Sequence, residues 1–202
     1  MSDIICVTHR QLCREDFLER VEKIAAARPR GLILREKDLP EEEYRALARR
    51  VLEICRAHEV PCILHNFPET ARELGCEALH LPLAALRKMT RAEREAFPVL
   101  GASCHSREEA EEAEEMGCRY ITLGHIFETA CKQGLPGRGT ELLQNVCAAV
   151  SLPVYAIGGI NRENIGPVRR AGAAGACLMS GLMTCEDPKA YLKALEEKNE
   201  IG

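Results

Sequence analysis

The amino-acid sequence predicts a single (β/α)8 barrel that spans residues 1–202. Short apolar, β-branched runs alternate with longer amphipathic stretches, and eight such pairs follow one another without a break in composition. The length of 202 residues fits one barrel with trimmed loops. An open doubly wound sheet is the alternative. That fold usually has about six strands and a glycine-rich first turn, whereas residues 8–11 read Thr-His-Arg-Gln.

The eight predicted strands are short apolar runs of the kind found in buried parallel sheets. In chain order they cover residues 4–8, 31–34, 61–65, 78–81, 99–104, 120–124, 154–157 and 176–180. Strands that alternate with helices pair in parallel, so these runs predict one parallel sheet that closes into a barrel.

The stretches between the strands carry apolar residues at helical spacing and are predicted to be helices. In chain order they cover residues 17–27, 41–58, 68–74, 83–95, 107–116, 140–150, 164–171 and 188–198. Pro40 and Pro188 suit the first position of a helix, and Gly75 ends one. Ser106 with Glu109 three residues later matches a capping box.

Composition and charge exclude several classes of function. With 46% hydrophobic and 29% charged residues the composition is that of a globular chain, and the net charge of -4 predicts no basic face for nucleic acid. No apolar run approaches the roughly 18 residues of a membrane span. Residues 1–3 lead directly into the first strand, without a signal peptide. We therefore expect a cytoplasmic protein that binds neither nucleic acid nor membrane.

Eleven cysteines raise the question of metal or disulfide chemistry. No Cys-x-x-Cys occurs, and the nearest pairs lie seven residues apart, which matches no zinc-ligand spacing. Most cysteines stand in apolar stretches, where a thiol packs as a small buried side chain, and the cytosol disfavours disulfides. Cys131 is the exception because it stands beside Lys132 in a polar loop, although an inert thiol is preferred there too.

In a (β/α)8 barrel the active site lies at the carboxyl ends of the strands. Five of the six histidines close or follow predicted strands. These are His9, His65, His80, His105 and His125. Their convergence on one end predicts a functional site. A metal site is the alternative, but such sites usually include carboxylates, and only Glu36, Asp38 and Glu128 stand near these strand ends.

Glycine loops follow the last two predicted strands. Gly158 and Gly159 follow the seventh, and Ser180 and Gly181 close the eighth. Loops at these places, with the amino terminus of a short extra helix, frequently bind phosphate in this fold. Glycine lets the backbone approach an anion, and residues 180–183 are predicted to begin such a helix. A tight turn also uses Gly-Gly, but two loops at these strands favour a phosphate site.

Four segments resemble the thiamine-phosphate synthase superfamily. They are ILREKDL at 33–39, GASCHS at 101–106, LGHIFETACKQGLPGRG at 123–139 and YAIGGI at 155–160. The resemblance covers nearly the whole chain and is closest to the thiazole tautomerase branch, the TenI-like proteins, for which segment 123–139 is the specific part. It implies a (β/α)8 barrel and a thiazole phosphate ligand.

The sequence departs from the synthases at the positions that hold magnesium. The synthase pattern has an Asn-Asp pair after the third strand and another aspartate after the fourth. These residues hold the magnesium that binds the pyrimidine pyrophosphate. Here Phe67 follows Asn66, and residues 81–85 read Leu-Pro-Leu-Ala-Ala, whereas magnesium needs hard oxygen ligands. His125 stands where the synthases usually have a small residue or proline. We expect that pyrophosphate chemistry is lost and that an acid–base residue is gained.

The resemblance implies isomerisation of a 2-carboxy-thiazole ylidene ethyl phosphate to its aromatic tautomer. A proton leaves ring C2 and another reaches the exocyclic carbon, so neither a cofactor nor a metal is required. His125 is the predicted acid–base residue because imidazole exchanges protons near neutral pH. Arg35 and Lys37 are expected to hold the carboxylate, although an ion pair of Arg35 with Glu36 or Asp38 is an alternative. The other predicted substrate contacts are Asn66, Ser103, Thr129 and Lys132.

Two other functions stay open at this point. A residual thiamine-phosphate synthase would lack the expected aspartates, and a non-catalytic ligand-binding or regulatory protein would use the same barrel. The sequence does not determine the oligomeric state, so a homo-oligomer also stays open. The expected partner is a small-molecule thiazole phosphate.

Overall fold

Eight parallel strands follow one another in chain order as a closed barrel. The computed structural model describes residues 2–129 and 134–197. The strands are β1 Ile4–Val7, β2 Gly31–Leu34, β3 Cys62–His65, β4 Ala78–Pro82, β5 Val99–Cys104, β6 Tyr120–Gly124, β7 Val154–Ile157 and β8 Gly175–Leu178. The predicted (β/α)8 barrel is confirmed, and every predicted strand is present with its ends shifted by at most two residues.

Helices alternate with the strands, and a 3-10 turn, Arg10–Leu12, follows β1. The helices of the described residues are α1 Phe17–Ala26, α2 Glu41–Ala57, α3 Pro68–Glu73, α4 Leu83–Leu86, α5 Arg91–Glu95, α6 Arg107–Glu115, α7 Gly139–Ala149, α8 Ile165–Arg170, α9 Ser180–Thr184 and α10 Pro188–Glu196. The predicted end of the last helix, Lys198, lies outside the described residues. None of the helices above combines the length and the apolar character that crossing a bilayer demands.

Two predicted helix boundaries need correction. The predicted helix at 83–95 is two helices, α4 and α5, because Thr90 and Glu93 form a reciprocal capping box that starts a new helix at Arg91. Pro40 is the residue before α2 rather than its first residue, and its ψ of 154° is extended. Pro188 does occupy the first turn of α10, as predicted.

The barrel strands are buried almost throughout, as expected for parallel strands that helices cover. Every residue of β1, β2, β6 and β8 is buried. Neighbouring strands pair in register, so that Gly101 of β5 stands beside Tyr120 of β6, and Ser103 beside Thr122. Residues two positions apart share a face, and these four positions therefore lie on one face of the two strands.

Two compact units make up the chain. The first comprises residues 1–79 with 178–202, and it buries Tyr44 of α2 and Leu64 of β3. The second comprises residues 80–177, and it buries Leu86 of α4 and Leu100 of β5.

The cysteines mainly fill apolar space. All ten cysteines within the described ranges are free thiols, and most are buried. Burial raises the pKa of the Cys104 and Cys118 thiols to about 12, so neither forms a reactive thiolate near neutral pH. The exceptional Cys131 lies outside the described residues.

Candidate active site

A buried carboxylate organises the chain at the ends of β1 and β2, in the first unit. Glu36 is 1% exposed, and it accepts hydrogen bonds from the Thr8 hydroxyl at 2.7 Å and from the Arg10 backbone N–H at 3.0 and 3.1 Å. The Arg10 guanidinium donates to Glu36 at 3.3 Å and to Asp38 at 2.6 Å. A buried charge is stable only when it is paired and hydrogen-bonded. These contacts hold the 3-10 turn after β1 against the end of β2.

Arg35 and Lys37, the predicted carboxylate-binding cations, flank Glu36. The Arg35 backbone N–H donates to the Thr8 hydroxyl at 2.9 Å; Arg35 is half-buried and Lys37 is exposed. In the part of the chain that the structure describes, the ion pairs of Glu36 and Asp38 are with Arg10, whose hydrogen bond lowers the pKa of Asp38 to about 2. The structure therefore gives no support to the alternative ion pair of Arg35 with these neighbours.

Asn66 stands in a left-handed turn directly after β3. Asn66 and Phe67 have φ of 61° and 48°, a region that asparagine tolerates better than most residues. The Phe67 ring packs on Tyr44, with ring centroids 4.9 Å apart. The Tyr44 hydroxyl donates to the Leu34 carbonyl at 2.7 Å and accepts from the His65 N–H at 2.9 Å. An aromatic ring thus follows Asn66 and packs against a buried tyrosine.

Helix α9 contains Ser180 and Gly181, the predicted phosphate contacts of the first unit. The helix begins at Ser180 directly after β8, as the sequence predicts. A Cβ on Gly181 would lie 2.8 Å from Cζ of Tyr191 in α10, so this glycine leaves room for the tyrosine ring. The first N–H groups of any helix lack an intrahelical partner. Packing therefore explains the glycine, and anion binding at α9 stays a prediction.

Four polar side chains on β4, β5 and β6 form a buried cluster in the second unit. His80 Nδ1 lies 3.0 Å from the Tyr120 hydroxyl, and His80 Nε2 lies 2.8 Å from Ser103 Oγ. The Thr122 hydroxyl lies 3.4 Å from Ser103 Oγ and 3.5 Å from His80 Nε2. We call these four side chains the His80 cluster. It places the predicted substrate contact Ser103 at the end of a hydrogen-bonded chain.

His80 does not stand at the end of its strand, so the prediction that groups it with the strand-end histidines is wrong. It is the third residue of β4 and is 2% exposed. Burial lowers the pKa of its imidazole to about 3. Such an imidazole stays neutral near pH 7 and is unsuited to exchange protons there.

His125 follows β6 directly and lies against the loop after β7. A Cβ on Gly158 would lie 2.8 Å from His125 Cα, and one on Gly124 would lie 2.5 Å from Ile157 Cγ2. The imidazole is half-buried, and its Nε2 lies 3.3 Å from the Leu135 carbonyl oxygen. The two glycines therefore let the backbone that carries His125 approach β7, and the imidazole stays partly exposed.

The glycine pair after β7 has a structural role besides any role in anion binding. Gly158 and Gly159 have φ of 100° and 66°, which favours glycine. Their carbonyls accept from the Phe127 N–H at 3.0 Å and from the Asn164 side chain at 2.9 Å. Within residues 2–129 and 134–197, neither glycine N–H donates a hydrogen bond. Both donors are available to an anion.

The loop after β6 returns to its own start. The Arg138 N–H donates to the His125 carbonyl at 3.0 Å, and the Gly139 N–H donates to the Ile126 carbonyl at 3.0 Å. Thr129, a predicted substrate contact, is half-buried in this loop. Lys132, the other predicted contact in the loop, lies outside the described residues.

His105 follows β5 and is exposed. Its Nδ1 lies 3.2 Å from the Glu109 carboxylate, which also accepts from the His105 backbone N–H at 2.6 Å. Because Glu109 is occupied in this way, only the Ser106 half of the predicted capping box is present. Across the described ranges, no group of three or more His, Cys, Asp or Glu side chains is arranged to hold a metal ion.

A family model described as thiamine monophosphate synthase matches residues 4–182, most of the chain. The chain belongs to this family. The membership confirms the superfamily that the sequence resembles. The match to the family model does not distinguish the tautomerase branch from the synthases.

Similar proteins from other organisms are named thiamine-phosphate synthase. Thiamine-phosphate synthase 2 of Streptococcus pneumoniae serotype 4 is 33% identical over 189 residues, which are 91% of this chain and 88% of the relative. Thiamine-phosphate synthase of Syntrophomonas wolfei is 31% identical over 198 residues, 95% of this chain and 93% of the relative. A solved thiamine phosphate pyrophosphorylase from Pyrococcus furiosus superposes with a TM-score of 0.83 at 25% identity and covers 98% of this chain and 96% of its own.

Sequence reasoning missed two residues that organise this family member. The sequence predicts Glu36 only as a carboxylate near a metal site or as a partner for Arg35, and Tyr120 only as part of an apolar strand. The signal for Tyr120 was present, because Tyr120 and Thr122 put polar atoms at alternate positions of a strand that is otherwise apolar. No signal in the sequence pairs Glu36 with Arg10, which stands 26 residues earlier.

Proposed function

We propose that this family member is a thiazole tautomerase, which isomerises a 2-carboxy-thiazole ylidene ethyl phosphate to the aromatic carboxythiazole phosphate. The observation that carries the proposal is the position of His125, half-buried directly after β6 with Gly158 against its backbone. A partly exposed imidazole at a strand end suits proton transfer, whereas the buried His80 does not. The resemblance of segment 123–139 to the tautomerase branch supports the same assignment.

The reaction moves one proton, and substrate and product have the same composition. Neutral His125 removes the proton from ring C2 and becomes an imidazolium. The electron pair that is released shifts through the ring to the exocyclic carbon, and the imidazolium protonates that carbon. Histidine ends neutral, and the aromaticity of the product supplies the driving force. Acid–base catalysis of this kind typically contributes ~10²–10⁴-fold.

The proposal assigns polar groups to the two anionic ends of the substrate. Arg35 and Lys37 supply positive charge for the carboxylate through charge-assisted hydrogen bonds. The N–H groups of Gly158 and Gly159 are one candidate for the phosphate, and α9 is another. The further substrate contacts are assigned to Asn66, Ser103, Thr129 and Lys132, and the α9 contacts to Ser180 and Gly181.

Thiamine-phosphate synthase is the second candidate function, because the relatives carry that name. In the pattern that the sequence resembles, this reaction uses carboxylates that hold magnesium. Here Phe67 packs on Tyr44 where the pattern has an aspartate, and α4 is Leu-Ala-Ala-Leu where the pattern has another. Magnesium prefers hard oxygen ligands, so the donor set at these positions does not fit it.

Parallel assays of the purified chain decide between the candidates. One assay follows conversion of the ylidene thiazole phosphate to the aromatic carboxythiazole phosphate, and the other follows thiamine phosphate formation from the pyrimidine pyrophosphate with magnesium. We expect turnover in the first assay, unchanged by a chelator, and background in the second. Thiamine phosphate formation that a chelator abolishes would identify a synthase. Binding of the thiazole without turnover would identify a ligand-binding protein.

A further inference from the structure

We infer that His80 is a positioning residue that Tyr120 holds as the Nε2–H tautomer, so that Ser103 presents its hydroxyl as a hydrogen-bond donor. The ligand atom at Ser103 is then an acceptor, such as a carboxylate or phosphate oxygen. The ligand half of this inference rests on the proposed function, whereas the tautomer does not.

The first step concerns the charge of His80. The side chain is 2% exposed, and both ring nitrogens lie within 3.0 Å of a hydroxyl oxygen. Burial in the strand disfavours the imidazolium, in agreement with a pKa lowered to about 3. A neutral imidazole has one N–H donor and one acceptor nitrogen, and the hydrogen bond at one nitrogen determines the role of the other.

The second step concerns the proton of Tyr120. Tyr120 is 6% exposed, and among the described residues its hydroxyl has His80 Nδ1 as its hydrogen-bonding partner. If Nδ1 carried the proton, the buried phenol O–H would have no acceptor, which is costly. Tyr120 therefore donates to Nδ1, and the imidazole proton stands on Nε2.

Gly101 keeps the tyrosine in this place. It pairs in register with Tyr120 on the neighbouring strand, and a Cβ on Gly101 would lie 2.6 Å from the Tyr120 hydroxyl oxygen. The absence of a side chain at Gly101 thus leaves the space in which the phenol reaches His80.

The third step concerns Ser103. A serine hydroxyl has one O–H donor and two acceptor positions. His80 Nε2–H takes one acceptor position at 2.8 Å, and the Thr122 hydroxyl, which donates at 3.4 Å, takes the other. The Ser103 O–H is left to donate outward from the His80 cluster. Ser103 is the half-buried member of the cluster, whereas the other three side chains are buried.

Nuclear magnetic resonance of ligand-free protein with 15N-labelled histidine tests the tautomer. His80 is assigned through its contacts to the Tyr120 ring, whose centroid lies 5.5 Å away. We expect a protonated Nε2 and an unprotonated Nδ1 at neutral pH. Tyr120→Phe removes the donor and should lower the Nε2–H population. Tyr155→Phe is the matched control, since its ring packs on Tyr120 without a hydrogen bond to His80, and it should change nothing. A protonated Nδ1 in the wild type overturns the inference.

Binding of the carboxythiazole phosphate tests the consequence for the ligand. We expect Ser103→Ala and Tyr120→Phe each to weaken binding by roughly 10-fold. The double variant should lose no more than Ser103→Ala alone, because the phenol acts through the serine. Losses that multiply, or a Tyr120→Phe variant that binds like wild type, contradict the positioning role. Absence of any thiazole binding overturns both the proposed function and the ligand half, and the tautomer is still decided on the free protein.

Discussion

Thr8 and Glu36 are joined by a 2.7 Å hydrogen bond from a hydroxyl at the end of β1 to a buried carboxylate after β2. The same hydroxyl accepts from the Arg35 N–H at 2.9 Å, so one side chain links the two strand ends twice. The carboxylate that holds the turn at Arg10 is therefore Glu36, which follows the neighbouring strand β2, and not a residue of the turn itself.

Glu36→Gln should lower the free energy of unfolding by about 1.5–3 kcal/mol, because hydrogen bonds to a buried charged group are lost or weakened. Urea denaturation measures the loss, and hydrogen exchange at the Arg10 amide should become faster. Asp38→Asn is the matched control, since Asp38 is an exposed partner of the same arginine. It should cost clearly less than Glu36→Gln, because solvent screens an exposed ion pair. Equal losses in the two variants would show that burial of Glu36 is not what matters.

His125→Gln should lower kcat for the tautomerisation by roughly 10²-fold or more. Glutamine keeps a hydrogen bond but exchanges no proton at neutral pH, so the affinity for product should stay nearly unchanged. His58→Gln is the control, because His58 directly follows α2 and pairs with Glu22. If kcat survives in His125→Gln and only KM rises, His125 is a binding residue.

Gly158→Ala should both destabilise the chain and reduce activity. Its φ of 100° strains any L side chain, and the new Cβ would press on His125, whose Cα lies 2.8 Å from that position. Gly75→Ala isolates the strain, since Gly75 has φ of 63° and no atom of the described residues lies within 4 Å of the position that its Cβ would take. We expect about 1–2 kcal/mol for Gly75→Ala, more for Gly158→Ala, and lower kcat only in the latter. Wild-type kcat in Gly158→Ala would separate this contact from catalysis.

Calorimetric binding tests the phosphate assignment. The carboxythiazole phosphate should bind more tightly than its dephosphorylated form, because the free N–H groups of Gly158 and Gly159 are donors for an anion. Gly159→Ala should reduce this preference. Equal affinity for the two ligands would remove the phosphate from the proposal.

The free energy of unfolding should decrease as the pH is lowered, because His80 stays neutral in the folded chain. Its folded pKa is lowered to about 3, whereas an unfolded histidine titrates near about 6.5. The unfolded chain therefore binds the extra proton first. The stabilisation is complete above the unfolded pKa and is lost as the pH falls towards the folded one, by about 1.4 kcal/mol per pH unit. Urea denaturation across this range should show a shallower slope in His80→Gln. Nuclear magnetic resonance of the folded wild type is a second test. Protonation of His80 near pH 6 would contradict the prediction.

The sequence predicted the order of elements because strand and helix periods are local properties of the chain. It missed the break between α4 and α5, where Thr90 and Glu93 form a complete capping box. It predicted a capping box for Ser106 and Glu109 instead, but there the Glu109 carboxylate accepts from the His105 N–H. Both pairs share the same spacing. A capping box is complete only when the glutamate carboxylate accepts a hydrogen bond from the backbone N–H of the N-cap residue, and sequence spacing does not show whether it does.

The candidate site was predictable only as a set of strand-end residues. His125 and the glycines after β7 follow from counting strands. The partners of Glu36, and the burial of His80 within β4, depend on contacts between residues that are 23 to 42 positions apart in the chain. Hydrophobic periodicity holds no information about such pairs.

The Tyr44 hydroxyl has a consequence for how α2 sits on its strands. Apolar contacts are non-directional, so a helix held by them alone can shift along a sheet at small cost. Tyr44 instead binds the carbonyl of Leu34 and the N–H of His65 at the same time. Any slide or rotation of α2 breaks both bonds together. These two bonds therefore fix the position of α2 relative to β2 and β3, and Arg35 and Asn66 directly follow those two strands.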